Sequence, residues 1–171
     1  MNRYGHAVLP LLLSICFILI FLTACSGNGR DIGCPFTALS WDASAEDVME
    51  EEGSDYETYD SIYKGLTYTY QKDYLGYTGT IKYMFDPEGA LCNVSWSYAA
   101  EDADSVLTVY RDVCDDTVKR LGPGTSDDGV GNYCEMWISD KGTVMANAVI
   151  TNDTHVMQIA YMSAEVSKQG K

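Results

Sequence analysis

Four cysteines past position 30, Cys34, Cys92, Cys114 and Cys134, are the first side chains in this chain whose type could do chemistry. They allow three disulfide pairings. Cys114 recurs with Leu107, Tyr110, Val118 and Leu121 at helical spacing, and Cys134 alternates with Met136 and Ile138, so both are expected to face one core. A Cys114–Cys134 bridge would close a loop of about twenty residues and contribute roughly 3 kcal/mol. Cys34–Cys92 follows by default, and four reduced, buried, small apolar residues are the alternative. No C-x2-C pair occurs, which leaves zinc without its usual ligand spacing.

His155 is the only histidine past position 30 and so the only imidazole available to activate a nucleophile there. It opens an alternating apolar segment, where a structural role is expected. No G-x-S-x-G, P-loop or dinucleotide fingerprint is present. Carboxylates are abundant, so an envelope hydrolase or carbohydrate-active enzyme using paired carboxylates is the alternative function, but nothing singles out two of them. Glu46–Asp60 holds eight acids and no base; it reads as a solvated helix face and loop, or as a docking patch or loose calcium site. Ser126-Asp127-Asp128-Gly129 lacks the alternating spacing of a calcium loop and reads as a turn.

Tyrosine is in excess. Tyr56, Tyr59, Tyr63, Tyr68, Tyr70, Tyr74, Tyr77 and Tyr83 crowd into 28 residues, more than one sheet face buries easily. The surplus is expected at the surface, where a rigid ring with a polar tip anchors protein interfaces or stacks on sugars. Ordinary strand composition is the competing explanation.

The elements that must position these residues follow from periodicity. Ser44–Gly53 reads as a short helix with a Ser cap, acids in its first turn and a Gly stop. Leu66–Gln71, Thr80–Phe85 and Leu91–Tyr98 alternate as strands, with Asp86-Pro87-Glu88-Gly89 as the last turn. Asp102–Leu121 is a second helix, ended by Gly122-Pro123-Gly124, and Tyr133–Ile138, Thr143–Ile150 and His155–Met162 are three more strands. The order repeats, and at an offset of 63 Gly79-Thr80 falls on Gly142-Thr143, Val94 on Met157 and Trp96 on Ile159. The expected fold is therefore α+β: two tandem helix-plus-three-stranded antiparallel units sharing a core, over residues 35–101 and 102–165, with a polar tail at 166–171. In its order of elements the chain resembles the tandem helix-plus-sheet modules of secreted β-lactamase inhibitor proteins, and each half resembles the small lipoproteins of the barrel-assembly machinery. That resemblance implies an inhibitor of a secreted enzyme as one possible function, on fold analogy.

The N-terminal segment gives an address. Met1–His6 carries Arg3 and no acid, and Ala7–Leu22 is an almost unbroken apolar run of sixteen residues containing Pro10, which suits a signal peptide over 1–24 better than a membrane span. Leu22-Thr23-Ala24-Cys25 resembles the lipobox of bacterial lipoproteins, which implies cleavage before Cys25 and diacylglycerol on its thiol. Two acyl chains anchor where one does not. Residues 25–34 then form a lipid-anchored tether, Gly- and Ser-rich at first, and Ser26 in place of Asp implies outer-membrane sorting where a host has two membranes. Past the signal 25 acids face 10 bases, a charge that disfavours nucleic acid. Taken together the residues point to a lipid-anchored, extracytoplasmic, non-enzymatic binding or scaffold module. Its expected partners are the membrane, through the anchor, and an envelope protein or glycan. No cofactor is expected.

Overall fold

The computed structural model describes residues 33–169; the signal, Cys25 and most of the tether lie outside them. The first helix, α1 (Ala45–Glu52), starts as the sequence implies. Ser44 Oγ accepts the Asp47 N–H at 3.2 Å while Asp47 Oδ2 accepts the Ser44 N–H at 2.8 Å, a reciprocal capping box. Then come β1 (Glu57–Asp60), β2 (Leu66–Tyr74), β3 (Tyr77–Phe85) and β4 (Leu91–Ala99), a meander of antiparallel neighbours. Leu75 and Gly76 join β2 to β3 in two residues, both at positive φ (52° and 84°), which matches the twist of a tight hairpin.

Helix α2 (Ala103–Leu121) is capped by Asp102, which accepts the Ser105 N–H at 2.7 Å, and carries Lys119 and Arg120 in its last turn, where cations complement the helix dipole. It leads to β5 (Thr125–Ser126), β6 (Asn132–Ser139), β7 (Gly142–Ile150) and β8 (His155–Ser163), a second meander, and to a short helix α3 (Ala164–Gln169). The strand order is β1-β2-β3-β4-β8-β7-β6-β5.

This corrects the expected fold class. β4 pairs with β8 from Asn93↔Met162 to Ala99↔Val156, so the strands form one continuous eight-stranded antiparallel sheet in a mostly β protein, rather than two helix-plus-three-strand units. Each unit would have left an unpaired edge against its neighbour, and pairing β4 with β8 satisfies both edges at once. The offset of 63 fails for β7 as well: Thr80 pairs with Ser97, while Thr143 pairs with Met162 rather than with Ala160, a two-residue shift. The tail also ends differently, because α3 begins at Ala164.

Both long helices and residues 33–44 cover the same face of the sheet. Val48 of α1 and Val106, Val109, Val113 and Thr117 of α2 meet Tyr83, Trp96, Ala146, Met157 and Ile159 in the core. The buried stripe of α2 is therefore rotated from the one the sequence suggested. Tyr110 and Cys114 are buried as expected, but Val118 and Leu121 are exposed, because three valines and Thr117 supply the inward positions. Gly79 is required beneath Trp96: a Cβ there would lie 2.5 Å from the indole ring. The indole N–H in turn donates to the Lys72 carbonyl at 2.9 Å.

Candidate functional site

Alternation along each strand assigns every side chain to one of two faces, and registers between strands align them in rows. On the face opposite α1 and α2, one row runs from Tyr59 through Thr67, Met84, Asn93, Met162 and Thr143 to Ile138. The next runs through Thr69, Lys82, Ser95, Ala160, Met145 and Met136. A third runs through Gln71, Thr80, Ser97, Gln158, Asn147 and Cys134. The middle of this face is made of short polar or small side chains, with longer ones on either side.

That difference in length forms a trough. Ser95 and Thr67 are only 1% exposed and Asn93 4%, although neither long helix covers them; they stand between Lys82, Met84 and Met162. Lys82 is half-buried between Thr69 and Ser95 and makes no ion pair among the described residues. Asn93 Nδ2 donates to the Tyr63 hydroxyl at 3.1 Å, which ties the β1–β2 connection to one end of the trough. Asn93 Oδ1, Ser95 Oγ and Asn147 Oδ1, all on this face, have no hydrogen-bond partner among the described residues. Shielded polar atoms of this kind take their partners from ordered water or from a contacting molecule.

Two grooves border these rows. One of about 440 Å³ is lined by Trp41, Tyr63, Lys64, Asp86, Glu88, Cys92 and Glu165. Asp86 holds the β3–β4 turn there, accepting the N–H groups of Glu88 (3.1 Å) and Ala90 (2.9 Å). The other, about 480 Å³, lies where α2 ends; Trp41, Leu121, Trp137 and Tyr161 line it together with Met136, Ile138, Thr143 and Met162 from the rows above. Two carboxylates each hold two side chains in place: Glu52 takes Lys72 Nζ at 2.6 Å and the Tyr83 hydroxyl at 2.7 Å, and Asp116 takes Arg120 Nε and the Tyr74 hydroxyl, both at 2.8 Å. Burial would raise the Asp116 carboxyl, but the hydrogen bonds from Arg120 and Tyr74 outweigh it and hold the group below the usual range.

The sequence-predicted residues fall out as follows. Tyr68, Tyr70, Tyr74 and Tyr83 are buried on the helix-covered face, edge-on to one another and to Phe36, Phe85 and Trp96. Desolvation pushes the hydroxyls of Tyr70, Tyr74 and Tyr83 upward. Tyr56 packs its ring against Tyr68 and Tyr70 while remaining at the surface. Half-buried Tyr77 donates to Asp112 at 2.7 Å. Tyr59, 46% exposed at the sheet edge, and Tyr63 are the two of the set that belong to the trough. Four of the eight tyrosines are thus core, because the helices and residues 33–44 cover the ring-bearing face, while Tyr56 and Tyr59 are exposed and Tyr63 and Tyr77 half-buried.

The cysteines are four free thiols, and neither Cys114–Cys134 nor Cys34–Cys92 is bridged. Strand parity explains the first. Trp137 donates to the Gly122 carbonyl and Tyr133 packs on Tyr110, so Tyr133, Glu135 and Trp137 face α2 while Cys134, Met136 and Ile138 face the other way. Cys114 meets Glu135 and Tyr110 instead, and burial pushes its thiol up to about 12. Cys34 lies near Tyr161 and Arg120, whereas Cys92 sits at the bulge opposite Phe85 and donates to the Met84 carbonyl at 3.2 Å. Burial pushes both thiols to about 12, the range of inert structural cysteines.

His155 Nδ1 lies 2.8 Å from the Glu101 carbonyl, a strand-end contact as expected. One acid of the Glu46–Asp60 run turns inward, Glu52 as above, and exposed Glu51 accepts from Thr37 Oγ1 at 2.8 Å. No group of three or more His, Cys, Asp and Glu among the described residues could hold a metal ion, so the run builds no calcium site. No helix among the described residues is long and apolar enough to cross a membrane. Comparison with known proteins decides nothing further: no family model, curated protein or solved structure matches this chain.

Proposed function

We propose that this chain is a lipid-anchored, non-enzymatic binding module of the cell envelope, exported behind residues 1–24, held to the membrane through Cys25, and presenting the face of its sheet opposite α1 and α2 to an envelope protein. The observation that carries the reading is the trough: a sheet face with neither long helix over it, built of Ser, Thr, Asn and Gln around a lysine, with that lysine and three polar atoms unpartnered among the described residues. A protein fits it better than a glycan. Sugar stacking wants exposed aromatic platforms, and the trough has only Tyr59 and Tyr63 at its margin; its four methionines are the adaptable, polarisable side chains that suit protein contacts.

The anchor and the face are tested separately. Cys25→Ala is expected to move the protein out of the membrane fraction with its unfolding midpoint unchanged; retention in the membrane would remove the lipid from the account. For the face, the full chain with a C-terminal tag is extracted from the envelope in detergent. A stoichiometric partner is expected with the wild-type chain, lost with Lys82→Glu or Gln158→Arg and kept with Asp104→Ala on the far side. A partner that survives both face variants would place binding elsewhere.

A further inference from the structure

One corner of the face opposite α1 and α2 has a second chemistry. Met136 and Met145 are direct cross-strand partners on β6 and β7, which places their Cβ atoms about 5 Å apart. Cys134 is two residues along the same strand face from Met136, about 6–7 Å away, and opposite Asn147. Met162 lies diagonally from Met145, whose direct partner on β8 is Ala160. All four sulfur side chains are half-buried, within reach of solvent. On the covered face of these strands the sole methionine is Met157, wholly enclosed.

We propose that Cys134, Met136 and Met145, with Met162 beside them, form a binding site for a monovalent copper ion. Thioethers and thiols are soft ligands that select this ion over the hard cations carboxylates hold. The long, unbranched methionines can bring their sulfurs together from these Cα positions. The cysteine is fixed from both sides: its N–H donates to Asp128 Oδ1 at 3.1 Å, and its carbonyl accepts the Asp127 N–H at 2.9 Å. The same two aspartates put negative charge beside the thiol. Binding forms copper–sulfur bonds and releases the Cys134 proton to water; no electron moves, and the ion arrives already monovalent. The inference needs the face to be open but not its protein partner, so the two can fail independently.

The test uses the full chain in detergent, with oxygen excluded, titrated with Cu(I) against a chromogenic Cu(I) chelator. One equivalent is expected to be retained, with an all-sulfur first shell in X-ray absorption at the copper edge. Cys134→Ser should abolish retention. The paired change Met136→Leu and Met145→Leu, which nearly conserves volume, should weaken it by at least about tenfold, the lower end of what losing even an outer-shell partner costs. Cys92→Ala should leave it unchanged. Unfolding midpoints confirm that each variant is folded. No retained copper, retention undiminished by the Cys134 and methionine changes, or a nitrogen and oxygen shell would each overturn the site.

Discussion

The two faces of the sheet are built from different chemistry on the same strands. The covered face carries Tyr83, Trp96, Ile159 and Tyr161, all nearly inaccessible, and the polar groups there are paired, apart from Tyr70 Oη: Trp96 with Lys72, Tyr83 with Glu52, Arg120 with Tyr161. The other face carries Ser95, Asn93, Asn147, Lys82 and four methionines, with three polar atoms left unpaired among the described residues. One face satisfies its polar groups and fills its volume, as a core must. The other leaves polar groups to be satisfied by water or by a contacting molecule, which suits a surface kept for contact. The contrast also separates where damage should appear: in stability on one side, in binding on the other.

Alkaline pH should break the covered face completely. The hydroxyls of Tyr70, Tyr74, Tyr83, Tyr110 and Tyr161 are all raised, chiefly by burial. A group whose folded pKa is raised contributes stability that is fully present below its ordinary value, about 10 for tyrosine, and is lost as pH rises toward the folded value. The tyrosinate absorbance of these five rings should therefore appear above pH 10 in one cooperative step with loss of the fold. Smooth, reversible ionisation of every tyrosine near pH 10, with the fold intact, would mean the rings are not buried.

Trp96→Ala comes next. It removes a wholly buried indole and strands the Lys72 carbonyl, for a loss of about 3–5 kcal/mol in denaturant unfolding. The sharpest contrast is between two methionines. Met157→Ala on the covered face should cost about 2–5 kcal/mol, whereas Met145→Ala on the open face should cost less than about 1 kcal/mol. Equal losses would mean that something in the molecule covers both faces.

Much of the sheet was legible in the sequence because its strands alternate strongly. Six of the eight were found within three residues at each end, together with the Ser44 cap and the Asp86–Gly89 turn. β1 and β5 were missed because Glu57–Asp60 and Thr125–Ser126 are short, polar and fully exposed edge strands. The β2–β3 hairpin hid behind Leu75, a residue that seldom adopts positive φ. The face of β6 was misread for a physical reason: Cys134, Met136 and Ile138 are more apolar than Tyr133, Glu135 and Trp137, yet the tyrosine and tryptophan rings supply the packing and Glu135 lies against Cys114. The trough could not be read in advance. Ser, Thr and Asn on alternate positions look like any solvated side of a sheet, and only the joining of β4 to β8 puts Ser95 and Lys82 in line with Met145 and Met136.

The most direct measurement is photocrosslinking in intact cells, with a photoreactive residue placed at Gln158 in the trough or at Asp104 on the exposed side of α2. The account predicts one discrete crosslinked species from position 158 and none from position 104. A discrete species from position 104 with none from 158 would contradict it, and the sheet face opposite α1 and α2 would not be where this protein works.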